Sequence, residues 1–200
     1  VGIWIQSAST PSVTGCTFER CTIPIYNDLS SSSHFLANRA TNCDVNGIVL
    51  GKGSVDGKLI LSATMPYVIR EKFIVGEKGE MLIQRGVTIK CSSMVNVYGD
   101  ISIRGTEEEP VIWTSLVDDS RGGDTNADGN STTPAPGDWG HLELAGSAGE
   151  CLFTHAKFFY GGGLGDQGAG WGILKFGTKT GVDNRVKLHN CEVGYSQTTG

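Results

Sequence analysis

The sequence predicts an all-β solenoid, a parallel β-helix of about eight coils with one long polar loop, and three observations support this fold class. Glycine is abundant, at 29 of 200 residues, while charged residues make up 18% of the chain, a composition typical of short strands joined by many turns. No long segment shows the spacing of apolar residues expected of an amphipathic helix. Cysteine-containing segments recur at a spacing that fits one coil of a solenoid.

Short apolar runs bounded by glycine, asparagine or aspartate supply the predicted strands. Residues 81–83, 95–97 and 101–103 alternate apolar and other side chains, as strands with one buried face do. Runs of this length suit a β-sandwich or a solenoid, so the presence of a repeat decides between the two.

A weak repeat is visible in the segments TGCTFERC, TNCDVNGI and HNCEVGYS, which share a cysteine, a following polar and apolar residue, and a turn. Cys16 and Cys43 lie 27 positions apart (43 − 16), which fits three short strands and three turns. Successive coils of a β-helix stack at about 4.8 Å. We therefore predict that Cys16 and Cys43 stack on each other and point inward as small hydrophobic side chains.

The two ends of the sequence also resemble one coil when they are joined. Counting from Cys191 to Gly200 and on from Val1 to Cys16 gives 25 positions, 9 before the junction and 16 after it. The chain begins without an initiator methionine or a signal peptide, and neither end carries a recognisable cap. We expect a unit that repeats in tandem or stacks end to end on its own copies, because matching open ends generate fibres. The alternative is a coincidence of cysteine spacing.

The chain is predicted to be a single β-helix unit over residues 1–200, with four parts of different character. These are Asn/Cys-rich coils at 1–57, smooth apolar coils at 58–114, a polar loop at 115–137, and coils that continue toward the next unit at 138–200. A loop of this length is uncommon, so it is either functional or a decoration of one solenoid turn.

Composition excludes several classes of protein. The net charge is −5 and there is no basic run, which argues against a nucleic-acid surface. No apolar run is long enough to cross a bilayer. None of the six cysteines forms a CxxC pair, so a zinc knuckle or a thioredoxin-type site is not expected. Buried thiols and one or two disulfides both remain open.

The polar loop contains the segment DTNADG, which resembles a calcium-binding loop. Asp124, Asn126 and Asp128 hold the first, third and fifth ligand positions, and the backbone carbonyl of Asn130 holds the seventh. The twelfth position is Ala135 instead of a glutamate, so another carboxylate must complete the site. The carboxylates that could do so are Asp118, Asp119 and Asp138. Calcium is the metal that such oxygen ligands favour, and the alternative is a solvated turn held by its own hydrogen bonds.

Four segments in order carry a family resemblance: PYVIREKFIVGEKGEMLIQRGVTIKC, GDISIRGTEEEPVIWTSLVDD, GGDTNADGNSTTPAPGDWG and HAKFFYGGG. They resemble right-handed parallel β-helix, pectin-lyase-like proteins of bacterial and archaeal cell surfaces, over roughly residues 64–196. The PYVI coil usually lies near the start of such helices, whereas here other coils precede it. The resemblance implies a right-handed β-helix and an extracellular or cell-surface location. It leaves the function open, because the superfamily contains polysaccharide enzymes, adhesins and structural proteins.

Polysaccharide enzymes of this fold need carboxylates gathered in a groove, and lyases also need an arginine or lysine base. The candidate acids Glu143, Asp166 and Asp183 are scattered, so we expect no catalytic site. We expect a solvated turn at 107–109, and solubilising roles for Arg85, Lys90 and Arg104. The histidines are far apart in sequence: His34, His141, His155 and His189. The aromatic residues are expected to be mainly core, with a glycan-stacking face as the alternative: Trp4, Trp113, Trp139, Trp171, Phe158, Phe159 and Tyr160.

The sequence therefore predicts a non-enzymatic structural subunit or repeat of an extracellular surface fibre, stacking head to tail on copies of itself. Calcium, if bound, would stiffen the polar loop. The alternative is a carbohydrate-active or glycan-binding segment of a larger surface protein, which would carry a groove with clustered carboxylates.

Overall fold

The structure is a computed structural model that describes residues 1–51, 53–145, 148–163, 172–177 and 185–196. Within these ranges every regular element is a β-strand and there is no α-helix, so the all-β prediction is confirmed. The described residues accordingly contain no helix that could span a membrane.

The described chain contains 22 short strands. The first eleven are β1 (Ile3–Ile5), β2 (Ser12–Thr14), β3 (Thr17–Glu19), β4 (Ile25–Asn27), β5 (His34–Leu36), β6 (Arg39–Thr41), β7 (Ile48–Leu50), β8 (Gly53–Val55), β9 (Lys58–Leu61), β10 (Tyr67–Ile69) and β11 (Phe73–Val75). The others are β12 (Glu80–Gln84), β13 (Thr88–Cys91), β14 (Val95–Val97), β15 (Asp100–Arg104), β16 (Val111–Ser115), β17 (Leu142–Leu144), β18 (Cys151–Thr154), β19 (Ala156–Phe159), β20 (Leu174–Phe176), β21 (Val186–His189) and β22 (Glu192–Gly194).

The strands form three long parallel sheets that run along the molecule. Sheet I has eight strands in the order β1-β4-β7-β10-β13-β16-β19-β22, one from each coil. Sheet II contains β8, β11, β14, β17 and β20, and sheet III contains β9, β12, β15, β18 and β21. In the first two coils, β2 pairs with β5 and β3 with β6. The predicted right-handed parallel β-helix of about eight coils is thereby confirmed.

The core follows from the inward positions of the strands, which stack in register from coil to coil. On sheet I the inward ladder is Ile3, Ile25, Ile48, Tyr67, Ile89, Trp113, Phe158 and Val193. Ile25, Ile48 and Ile89 are completely buried. Burial of each such aliphatic side chain stabilises the fold by about 1.5–3 kcal/mol, so the ladder contributes to stability along the whole helix axis.

The predicted stacking of Cys16 on Cys43 is wrong, because the early coils are shorter than that spacing. Ile3 pairs with Ile25 on the next coil, and Cys21 lies opposite Cys43 at a separation of 22 residues. The partner of Cys16 is Asn38, whose side-chain Oδ1 accepts the Cys16 amide at 3.0 Å. Cys16 therefore occupies a different corner of the coil from Cys43.

Cys191 also occupies a different corner from Cys16. It directly precedes β22 of sheet I, whereas Cys16 lies between β2 and β3. The spacing of 25 positions across the two ends therefore does not join equivalent positions of two coils. Gly200, the residue before that junction, and residues 197–199 lie outside the described residues.

The corners of the coils are tight turns in which residues adopt positive φ, often in register. Gly15 and Ala37 occupy one such position, at φ 65° and 53°, and their neighbours Thr14 and Leu36 are paired. Arg20 and Asn42 occupy the next, at 55° and 54°. Each of these residues adopts the left-handed backbone conformation, which lets the chain turn sharply between two short strands.

The long polar loop connects β16 to β17, and we call residues 116–141 the strap. It is longer than predicted at its C-terminal end, since the next strand begins at Leu142 and not at Asp138. The strap turns back along the outside of sheet I toward earlier coils. There the main-chain amide of Asn46 donates to the Thr125 carbonyl at 2.8 Å, so the strap reaches from the sixth coil to the third.

The strap covers the outward ladder of sheet I. Consecutive members of this ladder are Trp4, Tyr26, Val49, Val68, Lys90 and Thr114. Val68, Lys90 and Thr114 are completely buried, although outward positions of a β-helix normally face water. Trp4, at the other end of the ladder, is 60% exposed. The strap thus gives the middle of sheet I a second, outer core.

Candidate metal centre

Asp118 is the hub that fixes the start of the strap. Its carboxylate accepts hydrogen bonds from the hydroxyls of Thr114 and Ser120, both at 2.5 Å, and from the guanidinium of Arg121 at 3.0 Å. Burial acts to raise the pKa of Asp118, but these donors outweigh it and hold the pKa below its usual value. Arg121 also lies over the ring of Phe159, 4.1 Å from its centroid. Asp118 is therefore a structural carboxylate without a free oxygen for a metal.

Asp119, the next residue, lies among carboxylates instead of hydrogen-bond donors. One carboxylate oxygen each from Asp119, Asp124 and Asp128 lies within 4.8 Å of the others, close enough for one cation to contact all three. Burial and the neighbouring charges, chiefly Asp124, raise the pKa of Asp119 above its usual value. Three carboxylates at this separation repel one another, and a bound cation would relieve that repulsion.

Two buried oxygen atoms at this cluster lack a hydrogen-bond partner among the described residues. They are Oδ1 of Asp119 and Oδ1 of Asn126. Asn126 donates from its Nδ2 to a carboxylate oxygen of Asp128 at 2.7 Å, which orients its side chain at the cluster. Unpaired buried oxygens are costly unless a ligand or a water molecule satisfies them, so both atoms are available to a cation at the cluster.

The aspartates of the cluster also hold the loop by ordinary turn hydrogen bonds. Asp124 accepts the amides of Asp128 and Gly129, each at 3.1 Å, and Asp128 accepts the amide of Ser131 at 3.2 Å and the hydroxyl of Thr132. The bond from Thr132 is the main reason that the pKa of Asp128 is lowered. The two interpretations of the motif are therefore compatible: these bonds shape the loop, and one oxygen of each carboxylate still lies within reach of a shared cation.

The structure separates the three carboxylates that could complete the predicted site. Asp119 joins Asp124 and Asp128, whereas Asp118 is occupied by its own donors. Asp138 accepts the Ser115 hydroxyl at 2.6 Å and the Ala135 amide at 3.0 Å, and it does not belong to the cluster. The fourth predicted ligand is the backbone carbonyl of Asn130, a residue that is exposed, and its role stays a prediction.

Sequence reasoning placed Lys90 on a solubilising strand edge, and this was wrong. Its side chain is completely buried under the strap, and its ammonium donates to the carbonyls of Asp118 and, at 3.2 Å, Gly123. Burial lowers the pKa of Lys90, and the charges of Asp118, Asp119 and Asp124 only partly oppose this. One feature of the sequence could have indicated this burial. Lys90 follows the apolar residues Val49 and Val68 at the same outward position of successive coils, where a covered charged residue would need a partner.

Among the candidate catalytic acids, Glu143 is the one with a structured environment. Its carboxylate contacts the ammonium of Lys175 at 3.1 Å, the side-chain amide of Asn96 at 2.9 Å and the imidazole of His141 at 3.6 Å. Asn96, Glu143 and Lys175 stack in register on β14, β17 and β20. This group contains a single carboxylate. Asp166, Asp183 and Trp171 lie outside the described residues.

Several of the other candidates share a surface pocket: His34, Arg85, Arg104 and Glu109 line one, and Glu107 and His155 line a second. Glu107, Glu108 and Glu109 are exposed, as expected of a solvated turn, and Glu109 pairs with exposed Arg85 at 2.8 Å. Nε2 of His155 lies 3.3 Å from the side-chain amide nitrogen of Asn190. Arg104, His34 and His189 are all exposed.

Most of the aromatic residues belong to the core, as predicted. Trp113, Trp139 and Phe158 are buried, and the indole of Trp139 donates to the Phe159 carbonyl at 2.8 Å. Tyr160 is partly buried. Trp4 packs against Tyr26 with ring centroids 4.7 Å apart and remains largely exposed.

Comparisons with curated proteins and with solved structures give no match to this chain. A protein-family model does match it: the model of the pectate-lyase-like beta helix domain covers residues 53–196. The matched range contains sheets II and III, most of sheet I and the whole strap. The chain therefore belongs to the family of pectate-lyase-like β-helix domains.

Proposed function

We propose that this β-helix is a non-enzymatic structural segment of an extracellular surface fibre, and that its coils stack on neighbouring copies or repeats of the same unit. One observation carries the proposal: inward positions of the last described coils are apolar yet open. Phe176, Leu188 and Val193 are 51%, 40% and 50% exposed, whereas the residues below them in the ladders, Leu144, Phe153 and Phe158, are buried. A further coil is the surface that fits such an end face.

The environment of Glu143 supports a non-enzymatic role. A glycosidase of this fold would need a pair of carboxylates about 5–9.5 Å apart. Among the described residues, the Glu143 group holds one carboxylate, engaged by a lysine, an amide and an imidazole. Such a ladder of alternating partners stabilises adjacent strands. Release of unsaturated or reducing sugars from acidic or neutral polysaccharides would contradict this part of the proposal, particularly if Glu143→Gln abolished it.

The stacking proposal can be tested by sedimentation velocity and negative-stain electron microscopy. We expect concentration-dependent association and elongated particles for the wild-type chain. Leu188→Asp places a charge on the apolar end face and should prevent association, whereas Lys187→Asp alters the exposed neighbouring position on the same strand and should not. A wild-type protein that stays monomeric at every concentration, or equal association of both variants, would contradict the proposal.

We further propose that the cation of the strap is calcium. Calcium accepts about six to eight oxygen ligands in flexible geometry, and the cluster offers three carboxylates together with the unpaired Oδ1 of Asn126. These donors are hard oxygens without sulfur or imidazole, which favours calcium over zinc or copper. Calcium would hold the strap against sheet I and stabilise the outer core beneath it.

Calorimetric titration with CaCl₂ tests the ion. The wild-type chain should release or absorb measurable heat and melt at a higher temperature with calcium. Asp124→Asn/Asp128→Asn should lose both effects, and Asp44→Asn, which removes an exposed carboxylate outside the cluster, should keep them. Equal heats from the wild-type chain and from Asp124→Asn/Asp128→Asn would remove calcium from the proposal and leave the stacking proposal intact.

A further inference from the structure

Cys21 and Cys43 are the two cysteines that the coil register brings together. Glu19 pairs with Thr41, so the residues two positions later lie opposite each other on the first and second coils. Equivalent positions on adjacent coils are about 4.8 Å apart, which falls within the Cα separation of about 4.4–6.8 Å that disulfides require. Cys21 and Cys43 are not joined by a disulfide in this structure.

The side chain of Cys43 already points across the gap between the coils. Its Sγ accepts the main-chain amide of Cys21 at 3.3 Å and lies 3.8 Å from the carbonyl oxygen of Phe18 on the first coil. Cys43 therefore occupies the space beside the backbone of Cys21. Cys21 directs its own Sγ to the carbonyl of Glu19 at 3.7 Å, so a rotation about its χ1 would carry its sulfur toward Cys43.

Thiol–disulfide exchange needs one thiol that the oxidant can reach and a second thiol beside it, and the two cysteines differ in accessibility in this way. Cys43 is buried, with 2% of its surface exposed, whereas Cys21 is partly exposed. A small disulfide in solution can reach Cys21 first. The buried partner then lies next to the sulfur that was modified.

We propose that Cys21 and Cys43 form a disulfide that joins the first two coils, with a small-molecule disulfide such as oxidised glutathione as the oxidant. The thiolate of Cys21 attacks one sulfur of the oxidant, which releases one reduced thiol and leaves a mixed disulfide on Cys21. The thiolate of Cys43 then attacks the Cys21 sulfur and expels the second reduced thiol. The protein loses two protons and two electrons, and the oxidant gains them.

The bond would fasten the first coil, whose strands β1, β2 and β3 are each paired on one side within the described residues. A crosslink across 22 residues restricts the unfolded chain as well. The inference is independent of calcium binding and of stacking between copies.

Cys16 provides a matched control, because it is partly exposed like Cys21 but faces Asn38 on the next coil. The wild-type chain and the variants Cys16→Ser, Cys21→Ser and Cys43→Ser are incubated with oxidised and reduced glutathione at pH 8.5. After alkylation, the proteins are digested without reduction, and the linked peptides are identified by mass spectrometry.

We expect the wild-type chain and Cys16→Ser to yield a peptide pair that joins Cys21 to Cys43, with two hydrogens fewer than the separate thiol peptides. Cys21→Ser should yield none and Cys43→Ser should retain glutathione on Cys21. Oxidation should raise the melting temperature of the wild-type chain by about 5 °C or more, and a reductant should reverse this rise. If Cys43→Ser does not fold, Cys21→Ser and the wild-type chain still decide the result. A stable mixed disulfide on wild-type Cys21, or a link from Cys21 to Cys16, would overturn the proposal.

Discussion

The side-chain amide of Asn46 donates to the main-chain carbonyl of Asp124 at 2.9 Å, although the two residues are 78 positions apart in the chain. Asn46 also accepts the Cys43 amide on its Oδ1 at 3.2 Å and donates its own amide to Thr125. One asparagine at a corner of the third coil thus holds the strap of the sixth. Because Asp124 belongs to the carboxylate cluster, the same contact positions the candidate calcium site.

Asn46→Asp should release the strap from the third coil. The variant keeps the acceptor for Cys43 but replaces the donor to Asp124 by a charged oxygen, so we expect a loss of about 1–3 kcal/mol in the free energy of unfolding. Urea denaturation measures this loss, and hydrogen exchange should show faster exchange at strap amides. Thr133→Ala, at an exposed strap position, should change neither quantity. Unaltered exchange in Asn46→Asp would show that the strap is held elsewhere.

Asp118 and Asp119 are adjacent, and their substitution should have opposite effects. Asp118→Asn weakens hydrogen bonds from Thr114, Ser120 and Arg121, so we expect a loss of about 2–4 kcal/mol without calcium. Asp119→Asn removes a carboxylate that its neighbours repel, so stability without calcium should be unchanged or higher by up to about 1 kcal/mol.

Thermal melting with and without calcium distinguishes the two aspartates. The rise in melting temperature on adding calcium should disappear in Asp119→Asn and persist in Asp118→Asn. Measurements at low and at high ionic strength supply the control, because salt should reduce any gain from Asp119→Asn. A calcium response that survives in Asp119→Asn but is lost in Asp118→Asn would reverse the assignment of the two carboxylates.

The sequence was informative about the fold because alternation of apolar side chains is a local property. It is visible in strands such as Met81 to Ile83, whose inward residues are completely buried. The coil length was not visible, because the corners differ in length and the cysteine at position 16 happens to lie near the expected spacing. The role of Lys90 was also hidden, since its partners Asp118 and Gly123 come from a strap that crosses several coils. The sequence could not show whether Asp118 or Asp119 completes the metal site, because that depends on the positions of Thr114 and Arg121, which occupy the Asp118 carboxylate.

Asp28 should make the stability of the first two coils depend on pH. Its carboxylate accepts the Ser7 amide at 3.0 Å and the hydroxyls of Ser30 and Ser31 at 2.7 and 2.9 Å. Burial acts to raise the pKa of Asp28. The hydrogen bonds lower this pKa by more than burial raises it, so the pKa lies below its usual value. The folded state therefore binds this proton less tightly than the unfolded state does.

The sign of the effect follows from that difference. The contribution of Asp28 is fully present above the pKa of an unfolded aspartate, about 3.9, and is lost as pH falls through the lower folded pKa. Urea denaturation at a series of pH values from neutral to acid should therefore show a smaller acid loss in Asp28→Asn, which should also be less stable at neutral pH by about 1–3 kcal/mol. Asp44→Asn serves as the control. Parallel curves for Asp28→Asn and the wild-type chain would contradict the prediction.

Gly15 and Ala37 offer a test of how much the corners limit stability. Both have positive φ, at 65° and 53°, and they occupy the same position on adjacent coils. An added Cβ at Gly15 would meet no atom within 4 Å, so Gly15→Ala changes only the backbone preference and should lower the free energy of unfolding by about 1–2 kcal/mol.

Ala37→Gly relieves the same backbone strain on the next coil, and the greater freedom of glycine in the unfolded chain offsets part of the gain. We expect Ala37→Gly to stabilise the protein by up to about 1 kcal/mol in urea denaturation, with an unchanged m-value. Destabilisation by Ala37→Gly would mean that the methyl group contributes more by packing than the left-handed backbone costs.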